Sequence, residues 1–328
     1  MNNNKFKIKR VLSGIQPSGK LHIGNYFGMM SRMIEYQKDK DLFCFIVNYH
    51  ALTTISDQAL LKKNTIDAAL DFLALGLDPE KSTFWIQSDV PEVTELSWLL
   101  SNTIGVGQME RSTSYKDKIS KGISPNMGLF SYPVLMAADI LLFGGDLVPV
   151  GKDQMQHLEI ARDIASKFNK VYGNTFIVPE ADIEKNTMLV SGTDGKKMSK
   201  SYNNIIPIFD SEKILKKHIM SITTDSTPID SPKDKNTPLF KIYSLFLNSN
   251  EIQVLNNKYD SPGLRYGDIK QELFEIINKY FAPYREKRLE LENKKSDIIE
   301  ILDFGAKKAK IVAKDFLELA RENMGINY

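Results

Sequence analysis

The sequence has one cysteine and four histidines in 328 residues, and it has no long run of apolar residues. A single cysteine excludes an intramolecular disulfide and any cysteine-rich zinc or iron–sulfur site. Cys44 lies within an apolar run, which predicts a small core residue. The most apolar stretch, residues 128–145, is too short to span a bilayer and contains Asp139. These absences predict a protein of a reducing compartment, the cytoplasm, with no membrane contact.

The chain also has no excess of charge of either sign. It carries 43 basic and 41 acidic side chains, and the two signs are nearly balanced on both sides of residue 205. A dedicated nucleic-acid binder usually has a strong basic bias. Any RNA contact must therefore come from local patches, which composition does not predict. A hydrophobic content of 42% is ordinary for a globular protein and excludes a disordered chain.

Apolar runs alternate with amphipathic helical patterns through the first 205 residues. The patterns predict strands at residues 10–16, 42–47, 83–87, 147–150 and 175–178, and helices at 24–38, 58–75, 91–104, 129–143 and 153–172. Such alternation predicts a Rossmann-like α/β domain with a parallel sheet, whose ligands bind beyond the carboxyl ends of the strands. Polar residues 111–128 interrupt the alternation, which predicts an exposed loop or insertion at about residues 105–128.

Helical patterns replace this alternation from residue 211 onward. They predict helices at residues 211–222, 239–247, 266–302 and 305–324, and no convincing strand is left. The change of pattern predicts two domains, an α/β domain over residues 1–205 and a mostly helical domain over residues 206–328.

A glycine loop, residues 14–21, follows the start of the first predicted strand. It nearly matches a P-loop, but Leu21 stands where that motif needs a hydroxyl, and Pro17 removes a backbone donor. His22, Gly24 and Asn25 then stand at the start of a predicted helix, where unpaired N–H groups attract anions. His22 and Asn25 can donate hydrogen bonds to phosphate. An ordinary strand–helix turn with a chance histidine explains these residues about equally well.

A second loop, the lysine loop of residues 191–201, is rich in glycine, lysine and hydroxyl side chains. Its three lysines could neutralise a polyphosphate, and its glycines would allow the loop to close over a ligand. A solvated basic loop is the alternative, and for such a loop taken alone it is the usual explanation.

Together the two loops resemble the two signatures of class I aminoacyl-tRNA synthetases. Residues 197–201 match the K-M-S-K-S signature at all five positions, and residues 22–25 match H-I-G-H at three, with Asn25 replacing the second histidine. That replacement is similar to the bacterial-type tryptophanyl branch. Further matches to that branch lie at residues 13–19, 132–141 and 148–154. The resemblance covers nearly the whole chain, more loosely after residue 205.

The resemblance implies a reaction and a set of partners. The chain would activate L-tryptophan with ATP, release pyrophosphate, and transfer tryptophan to tRNA(Trp). Mg²⁺ would be bound with the ATP and not by a metal site of the protein. The resemblance further implies a homodimer and anticodon recognition by residues 206–328. The alternatives are a tyrosyl-tRNA synthetase and a synthetase-like ATP-binding protein that does not charge tRNA.

The same resemblance assigns roles to individual residues. The implied catalytic residues are His22, Asn25, Lys197 and Lys200, with the two lysines holding pyrophosphate. The implied ATP-binding residues are Gln16, Pro17, Ser18, Gly24, Asn25, Gly151, Lys152, Asp153, Met188, Lys197, Met198, Ser199, Lys200 and Ser201. The implied tryptophan-binding residues are Gln16, His50, Tyr132, Met136, Asp139, Val148, Val150 and Gln154. Without the resemblance, Met136, Val148 and Val150 fit a plain core equally well.

Asp139 is the most informative single residue, because a carboxylate among apolar neighbours is costly unless a donor reaches it. The residues alone leave three explanations open. These are a buried pair with an Arg or Lys, an aspartate on a wet stripe of its helix, and a donor supplied by the substrate. The resemblance implies the third, since the matching family aspartate accepts the indole N–H, a group that can only donate.

Overall fold

A five-stranded sheet lies at the centre of the computed structural model, which describes residues 8–120, 122, 124–151, 154–182 and 190–328. Its strands are β1 (Arg10–Ile15), β2 (Asp41–Ile46), β3 (Ser82–Ile86), β4 (Leu147–Pro149) and β5 (Glu180–Asp182). All pairings are parallel, in the order β3-β2-β1-β4-β5. After β1 the chain adds β2 and β3 on one side of it and then β4 and β5 on the other. A ligand crevice is therefore expected between the carboxyl ends of β1 and β4, where the strand order reverses.

The strands are apolar on both faces because both faces are covered. Along β2, Leu42, Cys44 and Ile46 pack into one core, whereas Phe43 and Phe45 pack into a second core on the opposite face. Successive side chains of a strand point to opposite faces, and a parallel sheet covered on both sides needs apolar residues at both. The predicted burial of Cys44 is confirmed.

Helices connect the strands and form the two covering layers. Helix α1 (Ile23–Asn25) continues through a π-helical turn over Tyr26–Met30 into α2 (Ser31–Tyr36). The others of this part are α3 (Asn48–Ala51), α4 (Gln58–Ala74), α5 (Glu92–Ser101), α6 (Val106–Glu110), α7 (Thr113–Ser120), α8 (Met127–Leu141) and α9 (Met155–Tyr172). A 3-10 turn at Gln87–Asp89 follows β3. The side chains of Asp57 and Asn126 cap the starts of α4 and α8.

The rest of the chain is helical, as predicted. It forms α10 (Glu212–Met220), α11 (Pro238–Ser244), α12 (Ser249–Asp260), α13 (Tyr266–Glu292) and α14 (Lys295–Met324). Helix α13 packs against α4, and α14 packs along β3 and α5. Each of the two cores contains residues from both sides of residue 205. The α/β fold with a helical C-terminal part is confirmed, and a domain boundary at residue 205 stays a prediction.

Within the described ranges, no helix combines the length and apolar character that crossing a membrane requires.

The strand predicted at residues 175–178 is wrong. The side-chain oxygen of Asn169 accepts hydrogen bonds from the backbone N–H groups of Thr175 and Phe176, at 3.0 and 2.9 Å. These donors are therefore taken up locally by the end of α9, and the strand β5 forms a few residues later. The stretch from 111 to 128 is also not a single loop, since α7 lies within it.

The predicted helix break before Gly305 is wrong as well. The break lies instead between α13 and α14, and α14 runs through Gly305 without interruption. A Cβ at Gly305 would lie 1.9 Å from the carbonyl oxygen of Phe84 in β3. The glycine is therefore a close-packing residue, which lets α14 cover the edge strand of the sheet.

We expect Gly305→Ala to lower the melting temperature. Alanine is better than glycine in a helix interior by about 1 kcal/mol, but the Cβ would meet backbone, and overpacking of this kind costs about 1–3 kcal/mol. Gly267→Ala in α13 is the matched control, because a Cβ there meets nothing within 4 Å. Thermal unfolding followed by circular dichroism measures both. A Gly305→Ala protein as stable as the wild type would contradict this packing.

Candidate active site

The glycine loop and the lysine loop meet at the carboxyl edge of the sheet. Lys200 Nζ donates to the carbonyl oxygen of Ser18 at 2.7 Å and lies 3.3 Å from Ser18 Oγ. Behind this contact, residues 206–208 run beside residues 21–23, and the Ile23 N–H donates to the carbonyl oxygen of Ile206 at 3.0 Å. Two signatures that are distant in the sequence thus form one structure at the expected crevice.

Gly24 lies close to Met198 of the lysine loop. A Cβ at Gly24 would lie 2.9 Å from His22 Nδ1 and 3.2 Å from Met198 Cβ, so there is little room for a larger residue. The Met198 side chain is buried in the core, and its backbone N–H donates to the carbonyl oxygen of Val190 at 2.9 Å. Met198 therefore anchors the lysine loop, and its contact with ATP stays a prediction.

His22 is buried at the start of α1. Burial, and secondarily the charge of Lys200, lowers the pKa of His22 to about 4. Its Nδ1 has no hydrogen-bond partner among the residues that the structure describes. The Oδ1 of Asn25 accepts a hydrogen bond from the backbone N–H of His22 at 3.2 Å. At neutral pH His22 is therefore an uncharged hydrogen-bonding group, and positive charge at this site comes from the lysines.

The lysine loop is a short hairpin. Ser191 and Lys197 form an antiparallel bridge, and the Gly192 N–H donates to the carbonyl oxygen of Lys196 at 2.7 Å. The hydroxyls of Ser199 and Ser201 lie 2.9 Å apart. The hairpin presents the exposed Lys197 and the half-buried Lys200 together with two hydroxyl groups.

Lys200 has a buried counter-charge. Burial lowers the pKa of Lys200, and the charge of Asp71 on α4 opposes that shift. Arg288 of α13 donates its Nε–H to Asp71, and its Nη2 lies 3.3 Å from Asp67. Burial raises the pKa of Asp71 to about 6, although the Arg288 charge acts against the rise. Above that pH, an ionised Asp71 favours the protonated state of Lys200.

Asp139 lies in α8, is only 3% exposed, and has partners for both carboxylate oxygens. Gln87 Nε2 donates to Oδ1 at 2.7 Å and to Oδ2 at 2.9 Å, and His50 Nε2 lies 2.8 Å from Oδ2. Among the described residues its partners are therefore an amide and an imidazole, and not the Arg or Lys that the residues alone left open. An ionised carboxylate offers about four acceptor positions, so the group can accept a further donor.

Gln87 was not identified from the sequence. It directly follows β3, and His50 comes shortly after β2. These two partners of Asp139 therefore lie at the carboxyl ends of two neighbouring strands. The Oε1 of Gln87 accepts a hydrogen bond from the Tyr49 N–H at 3.0 Å, which fixes the amide. A polar residue that ends a buried strand was the available signal. His157, whose Nε2 lies 2.7 Å from the Tyr132 hydroxyl, was also missed.

The other predicted site residues lie around the crevice or fall outside the described ranges. Val148 and Val150 are buried in the second core, and Met136 packs partly buried against it. Gln16 and Gln154 are exposed, at the end of β1 and just before α9. Pro17 is buried and Gly151 half-buried. The predicted ATP contacts Lys152, Asp153 and Met188 lie outside the described residues.

Comparisons with known proteins identify the family. The model for class I tRNA synthetases (W and Y) matches residues 4–282. A tryptophan–tRNA ligase of Campylobacter jejuni is 54% identical over 318 residues, which are 97% of this chain and 100% of that protein. One of Fusobacterium nucleatum is 52% identical, over 97% of this chain and 98% of that protein. The chain belongs to the tryptophan–tRNA ligases of class I. The resemblance seen in the sequence is thereby confirmed.

Solved structures agree with this assignment of the enzyme. The tryptophanyl-tRNA synthetase of Campylobacter jejuni, complexed with ADP and tryptophan, matches with a TM-score of 0.92 at 54% identity, over 96% of this chain and 99% of that chain. The enzyme of Mycoplasma pneumoniae matches with a TM-score of 0.82 at 32% identity, over 98% and 99%. A tyrosyl-tRNA synthetase of Archaeoglobus fulgidus matches at 19% identity with a TM-score of 0.65, over 87% and 91%, which shows the common fold alone.

The low pKa of His22 predicts a pH dependence of stability. The unfolded chain takes up a proton at the ordinary value of 6.5, whereas folded His22 resists protonation down to about 4. Folding is therefore disfavoured progressively as the pH falls from 6.5 to 4. Between pH 7 and pH 4.5, we expect the free energy of unfolding of the wild type to fall by about 2–3 kcal/mol more than that of His22→Asn. Urea unfolding of both proteins at the two pH values measures it, and parallel losses would contradict a neutral, buried His22.

Proposed function

We propose that this tryptophan–tRNA ligase activates L-tryptophan with ATP and transfers it to tRNA(Trp), with the residue roles given below. The chief support is the joining of the two signature loops at the crevice, where Lys200 reaches Ser18. Identity of 54% to a tryptophan–tRNA ligase over nearly the whole chain supports the choice of amino acid. A protein that only bound ATP would not need lysines placed at the leaving pyrophosphate.

The first step transfers the adenylyl group. A carboxylate oxygen of tryptophan bonds to the α-phosphorus of ATP, the bond from that phosphorus to the bridging oxygen breaks, and pyrophosphate leaves with the electron pair. The protein must align two anions and stabilise the charge that grows on pyrophosphate. Lys197 and Lys200 supply positive charge, and the neutral His22 and Asn25 supply hydrogen bonds.

Lys200 can reach the phosphates by exchanging one acceptor for a stronger one. Its ammonium group donates to a neutral carbonyl oxygen of Ser18. A pyrophosphate oxygen carries negative charge, so Coulomb attraction to the ammonium group adds to the hydrogen bond. A pyrophosphate oxygen would therefore displace Ser18 as the acceptor, and this gain would be largest when the negative charge is largest.

Asp139 would recognise the indole N–H of tryptophan. Gln87 and His50 hold its carboxylate in place, and the remaining acceptor capacity would be directed to the substrate. Val148, Val150 and Met136 would provide apolar walls for the ring. Tyr132, Gln16 and Gln154 would contact the polar end of the amino acid.

Mg²⁺ enters the proposal with ATP. In the ranges that the structure covers, no three His, Cys, Asp or Glu side chains come together to hold a metal ion. The residues present therefore do not form a protein cage for Mg²⁺, and the ion would be held by phosphates and water, as it often is. Bound in that way, it would neutralise part of the phosphate charge.

A homodimer is part of the proposal. Helices α5 and α6 both pack against α8, and these three helices carry exposed apolar side chains. Trp98 is 71% exposed, Val106 63% and Met127 73%. Large exposed apolar groups of this kind mark interaction surfaces, so we place the contact between subunits here.

The tRNA contacts and the cellular location are further parts of the proposal. Residues 206–328 would recognise the anticodon. The acceptor stem would contact Arg111, Lys116, Lys118 and Lys121. Arg111 and Lys116 are exposed, whereas Lys121 and the Lys118 side chain lie outside the described part of the chain. A cytoplasmic location stays a prediction.

ATP–pyrophosphate exchange tests the function. We expect exchange to require tryptophan and Mg²⁺, and tyrosine to support it only weakly. Lys200→Ala should slow pre-steady-state adenylate formation far more than it weakens tryptophan binding, because its contact forms with developing charge. Lys213→Ala is the control, since it removes an equal charge from an exposed position on α10. If none of the amino acids supports exchange, the enzymatic function is excluded. If tyrosine supports exchange better than tryptophan, the amino-acid pocket is one for tyrosine.

Asp139 should determine the choice of side chain. We expect Asp139→Ala to lower the ratio of kcat/KM for tryptophan to kcat/KM for phenylalanine, by the equivalent of roughly 2–4 kcal/mol. Most of this change should be a lower kcat/KM for tryptophan. The reason is that an acceptor for the indole N–H is gone. The exchange assay with both amino acids measures the ratio.

Asp139→Asn accompanies this variant, because it keeps the volume and one acceptor while it removes the charge. Both proteins are first checked for native circular dichroism. Full discrimination retained in both folded variants would show that Asp139 has only a structural role and that specificity lies elsewhere.

A further inference from the structure

Asn204 is a buried amide at the base of the lysine loop, and it is only 2% exposed. Its Oδ1 accepts a hydrogen bond from the Ser199 N–H at 2.8 Å. Its Nδ2 donates to the carbonyl oxygen of Lys197 at 3.0 Å and to Oδ1 of Asp194 at 2.6 Å. One side chain therefore binds the second arm of the hairpin on either side of Met198 and also binds Asp194 in the turn.

The backbone of Asn204 contributes to the same junction. Its carbonyl oxygen accepts a hydrogen bond from the Thr193 N–H at 3.0 Å. A Cβ at Gly192 would lie only 2.2 Å from Asn204 Nδ2, so the hairpin closes directly onto the amide. Asp194 also accepts from the Lys196 N–H at 3.0 Å. These contacts fix the loop backbone at residues 192–199 from a single buried point.

An amide is the side chain that these partners require. Asn204 uses an acceptor for Ser199 and donors for Lys197 and Asp194, and among neutral side chains only Asn and Gln combine two N–H donors with an acceptor oxygen. The hydrogen bond from Asn204 is the chief cause of a lowered pKa of Asp194, so Asp194 is ionised at neutral pH. A carboxylate in place of the amide would face that charge directly and would lose both donors.

We propose that Asn204 is a positioning residue for the pyrophosphate-forming step. It sets the backbone from which Lys197 and Lys200 extend, and it acts on the reaction only through them. The inference rests on the proposed function of the lysine loop. Asp139 and its partners Gln87 and His50 are carried by α8 and by residues after β3 and β2. A displaced lysine loop should therefore slow activation while tryptophan binding stays nearly unchanged.

Asn204→Asp is the test variant, because it keeps the size and the acceptor but places a second carboxylate at Asp194. We expect kcat for exchange to fall by about tenfold to a hundredfold, the scale for a misplaced catalytic group. KM for tryptophan should stay within about twofold of the wild type. Asn203→Asp is the matched control. It adds the same charge at the neighbouring exposed residue, whose positive φ of 52° an aspartate tolerates.

The double variant Asp194→Asn with Asn204→Asp returns an amide–carboxylate pair to the junction with the two groups exchanged. The acceptor for Ser199 is kept, and a single carboxylate replaces the pair of like charges. The remaining defect is at the Lys197 carbonyl oxygen, which loses its donor and faces a carboxylate oxygen. We expect most of the lost kcat to return. This recovery would show that the loss arises from the Asn204–Asp194 pair, and the unchanged KM for tryptophan separates a positioning role from a general structural one.

Limited trypsin digestion measures how accessible the lysine loop is to protease, independently of enzymatic activity. Cleavage after Lys196, Lys197 and Lys200, mapped by mass spectrometry, should accelerate in Asn204→Asp and return towards the wild-type rate in the double variant. Wild-type kcat in Asn204→Asp, or no recovery of kcat in the double variant, would overturn the inference. Absence of tryptophan-dependent exchange in the wild type would instead reject the proposed function, while the digestion would still report whether Asn204 holds the loop.

Discussion

The pairing of residues 206–208 with residues 21–23 is the constraint on which the site depends. It brings the end of the lysine loop to the start of α1, where His22 and Gly24 lie. Ile206 and Ile208 are fully buried, so the hydrogen bonds on this segment are shielded from water. Because this pairing already holds the two segments together, Lys200 reaches Ser18 at a smaller entropic cost of loop closure.

Charge at the crevice is distributed between groups with different tasks. Burial keeps His22 neutral, so the lysines carry the positive charge that phosphates require. The half-buried Lys200 has Asp71 as its counter-charge, and Asp71 is held by Arg288 from α13. A helix of the C-terminal part thus contributes to the electrostatics of the lysine loop. The same helix packs against α4, which carries Asp71.

The amino-acid side of the site depends on sheet topology. Asp139 comes from a helix, but its orientation is set by Gln87 and His50, which follow two neighbouring parallel strands. An aspartate in an apolar segment is visible in a sequence, because charge and hydropathy are local properties. Its partners are not visible, because they are 52 and 89 residues away along the chain. Strand order brings Gln87 and His50 together, and the position of α8 brings Asp139 to them.

The sequence by itself determined the α/β class, the helical C-terminal part, the buried Cys44 and the two signature loops. These follow from periodicity and from short motifs, which are encoded by neighbouring residues. The tertiary structure decided the partners and several boundaries. Asn169 captures the N–H groups that a strand at residues 175–178 would have used, and the Phe84 backbone makes Gly305 a packing residue within α14. The Asn169 bonds span six and seven residues, whereas the Gly305–Phe84 contact joins distant parts of the chain, and apolar periodicity encodes neither of them.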